Sequence, residues 1–331
     1  MIIIIDSGST QTRLYLLRDE EIVAEHLLAV GVNSGKARSQ GDFRDAIAAG
    51  ISELLHANQL TTGDVRFAIA SGMITSNLGL LEIPHITAPV SLEQLVSRVV
   101  KVKDPAILPL DLEIRFVPGI KNAQADRSWS SLRDIDLMRG EETQAVGLMT
   151  SIYRNLPLTM IELGSTTKLI HIDAQGRIAG SITSLSGQVY AAVKKETFIG
   201  ASMLEEEDDD FFSADILQYA CDSVHHAGLL RTLLFTRFIE FSLPCTAVER
   251  TFFCQAALAA DDMKLFDEAE RLGFSLQGDI VLTGKRQRCE MYRSLWRSRY
   301  GLENPVHFIC DKDEIAQLAI KGAGYIARQM T

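Results

Sequence analysis

The order of segments in this 331-residue chain predicts an α/β fold made of two related domains. Two observations carry that prediction. Strand-like and helix-like segments alternate through the first half and return at the end of the second. In addition, one short unit occurs twice: an apolar run, an acidic residue, a Gly-Ser-Thr turn and two further apolar runs.

The first copy of that unit opens on Ile2–Ile5 and passes through Asp6-Ser7-Gly8-Ser9-Thr10 to Leu14–Leu17. The turn-like Arg18-Asp19-Glu20-Glu21 then leads to Ile22-Val23-Ala24. The second copy opens on Leu158–Ile161 and passes through Glu162-Leu163-Gly164-Ser165-Thr166 to Leu169–Ile172. Asp173-Ala174-Gln175-Gly176 then leads to Ile178-Ala179-Gly180. Each copy reads strand, acid, turn, strand, turn, strand. A lone Gly-Ser-Thr carries little information, but two in matching surroundings point to two β-hairpins with equivalent tips.

Between the copies, Phe43–Leu55 has helical periodicity, with Phe43, Ile47, Ile51, Leu54 and Leu55 on one face. Val65–Ala70 reads as a buried strand ending at Ser71-Gly72, and Ser91 as the N-cap of a helix over Leu92–Val100. Ile114–Val117 is a strand ended by Pro118-Gly119, and Glu141–Tyr153 a helix. The second half is more helical, at Phe211–His226, Leu229–Phe238 and Ala247–Ala260. It returns to a strand at Asp279–Leu282, closed by Thr283-Gly284-Lys285, then a helix at Arg288–Tyr300 and a strand at His307–Ile309. A last helix spans Asp313–Met330, capped by Asp311 or Asp313. The domain boundary falls just before Pro157, giving domains 1–154 and 155–331 with no Gly/Ser-rich linker between them.

The formal charge of −10 argues against a nucleic-acid partner, because phosphate backbones require a basic footprint. The five cysteines are scattered and form no CxxC pair, as expected of reduced thiols rather than a metal site. No apolar run approaches the roughly 20 residues that span a bilayer, so no membrane partner is expected and the cytoplasm is the expected compartment. Glu205–Asp210 is a run of six acidic residues, as in a solvated loop.

The hairpin tips suit phosphate. Gly8 and Gly164 allow a tight turn whose successive N–H groups form an anion-binding concavity. Ser9, Thr10, Ser165 and Thr166 add hydroxyl donors, and Arg13 and Lys168 supply positive charge. Asp6 and Glu162 can hold Mg²⁺, directly or through water.

Together these hairpins resemble the two phosphate motifs of the actin/hexokinase/heat-shock-70-like ATPase superfamily. Ala70–Gly79 and Met138-Arg139-Gly140-Glu141-Glu142-Thr143-Gln144 resemble segments of the 2-dehydro-3-deoxygalactonokinase family. So do Phe116–Ile120 and Val281-Leu282-Thr283-Gly284 with Tyr292 downstream. The resemblance spans most of the chain and implies two actin-like (ribonuclease H-like) domains with a nucleotide cleft between them. It implies a kinase that uses ATP and Mg²⁺ to phosphorylate the terminal (6-) hydroxyl of 2-dehydro-3-deoxy-D-galactonate, in galactonate catabolism. The second loop departs from the family, reading Leu163-Gly164-Ser165-Thr166-Thr167-Lys168-Leu169 where the family has Pro-Gly-Thr-His-Ser-Lys-Trp. Ser7 stands where the family has an aromatic residue.

A sugar hydroxyl becomes a good nucleophile when a carboxylate accepts its proton. Glu141 and Glu142, at a predicted loop-to-helix junction, are the two candidates, and the sequence does not choose between them. Arg139 is the candidate for the substrate carboxylate. Ser71, Gly72, Met73, Ser76 and Asn77 are candidates for its hydroxyls, with turn formation as the alternative for the serines and asparagine. Gly284, at the carboxyl end of a strand, is the expected point of approach for the nucleotide. Two other readings remain: an exopolyphosphatase-like phosphotransferase of the same superfamily, and a nucleotide-binding sensor without transferase activity. Superfamily kinases often dimerise, which leaves a homodimer open.

Overall fold

The computed structural model describes residues 1–19, 21–32, 39–151, 155–206, 208–301 and 303–330. Glu20, Tyr153 and Glu207 therefore lie outside the described residues. The chain divides into two units. One holds Met1–Arg154, Gln175–Ser181 and Ala316–Thr331; the other holds Asn155–Ala174 and Ile182–Ile315.

In the first unit, the Ile2–Ile5 run becomes strand β1 (Ile2–Ser7), paired antiparallel with β2 (Thr12–Arg18), itself antiparallel to β3 (Glu21–Leu28). Helix α1 (Gln40–Ala57) buries Phe43, Ile47, Ile51, Leu54 and Leu55, the stripe its periodicity predicts, in one core with Ile3, Ile5, Leu14 and Leu16. Each such side chain contributes roughly 1.5–3 kcal/mol when fully buried. Strand β4 (Ala68–Gly72) runs parallel to β1 and starts later than predicted, because Val65 closes a 3₁₀ turn over Thr62–Asp64.

Next come β5 (Ile86–Thr87), α2 (Leu92–Ser97), β6 (Val100–Val102), β7 (Ile114–Phe116), β8 (Ile120–Lys121), β9 (Leu137–Met138) and α3 (Glu141–Ser151). Ser91 caps α2 as predicted, but the helix ends at Ser97 because Val100 pairs with Phe116 as a strand. The main sheet runs β3-β2-β1-β4-β7-β6, and a small one runs β5-β8-β9.

The second sheet runs β12-β11-β10-β13-β14, from β10 (Leu158–Leu163), β11 (Thr167–Ile172), β12 (Ile178–Ser184), β13 (Asp279–Gly284) and β14 (Val306–Ile309). Between β12 and β13 lie α4 (Ser186–Glu196), α5 (Ala214–Ala227), α6 (Leu229–Ser242), α7 (Ala247–Asp262) and α8 (Lys264–Arg271). Helix α9 (Arg286–Tyr300) precedes β14, and α10 (Lys312–Gln329) follows it, with Asp311 accepting from the amides of Asp313 and Glu314. Helix α5 starts at Ala214, not Phe211, because the Ser213 hydroxyl caps it.

The repeat seen in the sequence is a repeat of register. In the first sheet, Asp6 faces Arg13 across the hairpin and Ser71 on the parallel strand, and Ser7 faces Gly72. In the second, Glu162 faces Lys168 and Thr283, and Leu163 faces Gly284. Acid, cation, hydroxyl and glycine thus take the same places twice.

Helices α3 and α10 meet within the first unit at two glycines. A methyl on Gly147 would lie 1.9 Å from the Leu318 carbonyl oxygen, and one on Gly322 would lie 1.8 Å from that of Thr143. Close packing is thus the role of Gly322 as of Gly147. Among the described residues, no helix is long and apolar enough to cross a membrane.

Candidate active site

At the first hairpin the Gly8 amide donates to the Gln11 carbonyl at 2.9 Å, closing the tip and leaving Gly8, Ser9 and Thr10 exposed. Behind the tip, Thr12 donates its hydroxyl proton to the Val30 carbonyl, so Ser7 donates to Thr12 at 3.1 Å. Asp6 stands at the base of the tip, with Arg13 Nη1 3.9 Å from its carboxylate. Burial pushes the Asp6 carboxyl above the usual range; Arg13 pulls it down and Glu141 pushes it up.

Three sequence motifs converge here. Gly72 has φ +82°, and a methyl on it would lie 2.3 Å from the Ser7 carbonyl oxygen. Gly140 has φ +114°, and a methyl on it would lie 3.2 Å from Gly72 Cα. Only residues without a side chain stack backbone on backbone this closely. The result brings Asp6, Ser71-Gly72 and Arg139–Glu142 together.

The two glutamates then separate. Glu142 is fully buried, and both its oxygens accept from the Gly140 amide, at 2.9 and 2.7 Å. Burial raises its pKa to about 8, with the nearby Glu141 charge adding to the shift and the Gly140 amide and Arg139 opposing it. Glu141 is half-buried, accepts from the Arg139 amide at 2.9 Å, and lies within electrostatic reach of Asp6. Both occupy the first turn of α3, where the helix dipole favours negative charge.

Arg139 is heavily engaged. Nη1 donates to the Thr75 carbonyl and, at 2.6 Å, to the Thr75 hydroxyl. Nη2 reaches the Ile83 carbonyl and His85 Nδ1, each at 3.1 Å. Arginine only donates, so His85 Nδ1 accepts. The guanidinium therefore ties down segment 75–85. The Ser76 hydroxyl donates to the Met73 carbonyl and accepts from the Leu78 amide, shaping a turn, while Asn77 is exposed and Met73 half-buried.

The second hairpin is closed by the Gly164 amide donating to Thr166 at 3.0 Å, with Ser165 exposed, Thr166 half-buried and Lys168 buried. Arg288 Nη1 holds the Leu163 and Gly164 carbonyls at 3.1 and 2.8 Å. A cavity of about 370 Å³ opens beside this hairpin. Leu258, Ala259, Met291 and Ile315 give it apolar walls, and Lys285, Arg288 and Lys312 give it positive charge. Gly164 and Gly284 both line it. Apolar walls with convergent cations fit a nucleoside phosphate. Oxygen-only donors such as Asp6 and Glu162 fit Mg²⁺, although among the described residues no group of three or more His, Cys, Asp or Glu is placed to hold a metal by itself.

Sequence reasoning missed Arg288, Lys285, Ser186 and Asp262, which surround the second hairpin and its cavity. A lone arginine in a helix and a lone aspartate ending one carry no motif; only the fold brings them to the loop.

The chain is similar to two named relatives. It is 25% identical to a Rhizobium meliloti (strain 1021) protein assigned as 2-dehydro-3-deoxygalactonokinase DgoK1, over 70% of this chain and 69% of that one. It is 23% identical to the 2-dehydro-3-deoxygalactonokinase of Escherichia coli (strain K12), over 65% of this chain and 64% of the relative, just under two thirds of its length. A crystal structure of a Sinorhizobium meliloti protein assigned to the same activity shares the fold, with a TM-score of 0.73 at 21% identity over 100% of this chain and 99% of that one. The α/β fold of two actin-like domains expected from the sequence is the fold found. The profile of the 2-keto-3-deoxy-galactonokinase family, a family of sugar kinases, matches residues 6–308, and the chain belongs to that family.

Proposed function

We propose that this chain is an ATP-dependent kinase that phosphorylates the 6-hydroxyl of 2-dehydro-3-deoxy-D-galactonate, a step of galactonate catabolism. The observation that carries the reading is Glu141, half-buried at the start of α3, next in the chain to the Gly140 that stacks on Gly72, and within electrostatic reach of Asp6 at the base of the first hairpin tip. In this reading residues 1–154 hold the sugar acid and residues 155–331 the nucleotide.

Glu141 is the base, because it is the glutamate a substrate can touch; it accepts the proton of the attacking hydroxyl. Glu142 is buried and positions the Arg139-Gly140 turn instead. Met73 and Asn77 offer contacts to the acceptor, on a segment that Arg139 and Ser76 hold in shape, while Ser71 and Gly72 are buried beneath it. Gly8 and Gly164 close the two tight tips, Ser9, Thr10, Ser165 and Thr166 offer phosphate donors on them, Arg13 and Lys168 add charge, and Gly284 gives the nucleotide close approach. Asp6 and Glu162 would hold Mg²⁺, which when bound neutralises developing phosphate charge.

The test is ADP release, coupled to a colorimetric readout, with a panel of 2-keto-3-deoxy sugar acids. Turnover with 2-dehydro-3-deoxy-D-galactonate and a 6-phosphate product is expected. Silence across the panel sinks the proposal, and phosphate release from polyphosphate without an organic acceptor would replace it with a phosphatase.

A further inference from the structure

We propose that Asp262 is a positioning residue for the second hairpin: through Ser186 and Tyr292 it fixes Thr167, and with it the tip that meets the nucleotide's phosphates. The inference rests on the nucleotide reading of the 370 Å³ cavity.

Asp262 ends α7 and is 5% exposed. One of its oxygens accepts from the Ser184 hydroxyl; the other accepts from Ser186 at 2.7 Å and from Tyr292. Thr167 is fully buried, and its hydroxyl lies 2.8 Å from Ser186 Oγ and 3.0 Å from the Tyr292 oxygen. A hydroxyl carries one proton, and a carboxylate accepts. Ser184, Ser186 and Tyr292 spend their protons on Asp262, so both oxygens that face Thr167 are left as acceptors. Thr167 becomes the donor, and Arg288 Nη2 donates to its oxygen at 3.4 Å.

One buried carboxylate thus sets the direction of the whole hydroxyl chain. Burial and the Asp262 charge both push the Tyr292 phenol upward, which keeps it a donor. Arg288 and Tyr292 are four residues apart on α9 and so share a face, one holding the Gly164 carbonyl and the other reaching Thr167. Ser186, Gly187, Arg288 and Tyr292 all line the cavity. A shift in this cluster therefore moves the tip and the nucleotide wall together.

Asp262→Asn keeps the shape but replaces one acceptor oxygen with a donor, which reverses part of the chain. Tyr292→Phe removes a single oxygen. Steady-state kinetics and ADP titration calorimetry on the two single variants and the double variant test the idea. Asp262→Asn should raise the ATP KM about tenfold, in line with a broken buried polar network. Tyr292→Phe should raise it less, the double variant should be no worse than Asp262→Asn, and the sugar-acid KM should stay put.

An unchanged ATP KM with a lower melting temperature would make the cluster merely structural and overturn the inference. If Asp262→Asn does not fold, Tyr292→Phe decides by the same criterion. If the wild-type chain binds neither ADP nor ATP, the nucleotide reading itself fails and takes the inference with it.

Discussion

Replacing Glu141 and Glu142 one at a time separates the half-buried glutamate proposed as the base from the buried one that burial keeps protonated. Glu141→Gln should lower kcat by about 100- to 10,000-fold, the usual contribution of a general base. Glu142→Gln should cost less than tenfold, because an amide oxygen can still accept from Gly140. Equal small losses from both would remove Glu141 as the base. Glu142 also carries a pH signature. Its pKa is about 8 in the fold against 4.5 as the reference, so the fold favours the protonated form. That stabilisation is complete below about pH 4.5 and is lost as the pH rises through 8. The urea midpoint of the wild type should fall relative to that of Glu142→Gln between pH 5 and pH 9; parallel curves would refute the burial argument. The sequence names both glutamates but cannot choose, because the choice depends on Gly140 stacking against Gly72, a contact between residues far apart in the chain.

At the scale of elements, both hairpins and α1 are legible because apolar residues recur at the period of the structure they form. Helix α4 is not legible, since only Val189, Tyr190 and Val193 reach the core from it, too short a stripe to set a period in the sequence. Strands β5, β8 and β9 have two residues each, too few for any period. The contact between α3 and α10 makes its own prediction. Gly147→Ala places a methyl against the Leu318 carbonyl, where backbone must move, and should cost about 1–3 kcal/mol in urea unfolding. Gly324→Ala is the control, because a methyl there meets nothing within 4 Å. Equal effects from the two would mean that helix propensity, not packing, governs the site.

For the whole molecule, ligand and acid should act in opposite directions. Nucleotide at about 100 times its Kd should stabilise the fold by about 2.7 kcal/mol, seen as a rise in melting temperature; no shift with ADP or ATP would contradict the proposed cofactor. His171 is buried against Phe274 with ring centroids 5.3 Å apart, and burial lowers its pKa to about 4. The neutral ring is the stabilising form. Its contribution is complete above about pH 6.5 and is lost as the pH falls through 4. His171→Gln should flatten the acid limb of the stability curve in that window, as read by melting temperature, whereas an unchanged limb would mean other groups control acid unfolding.

The first unit takes its closing piece from Ala316–Thr331, at the far end of the chain. A polypeptide leaves the ribosome N-terminus first. The helix bearing Glu141 therefore waits, during synthesis, for a partner made after the entire second unit. A nascent chain arrested before residue 316 should leave Gly147 and its neighbours uncovered and vulnerable to protease, and native kinase should arise only once translation has run past that point.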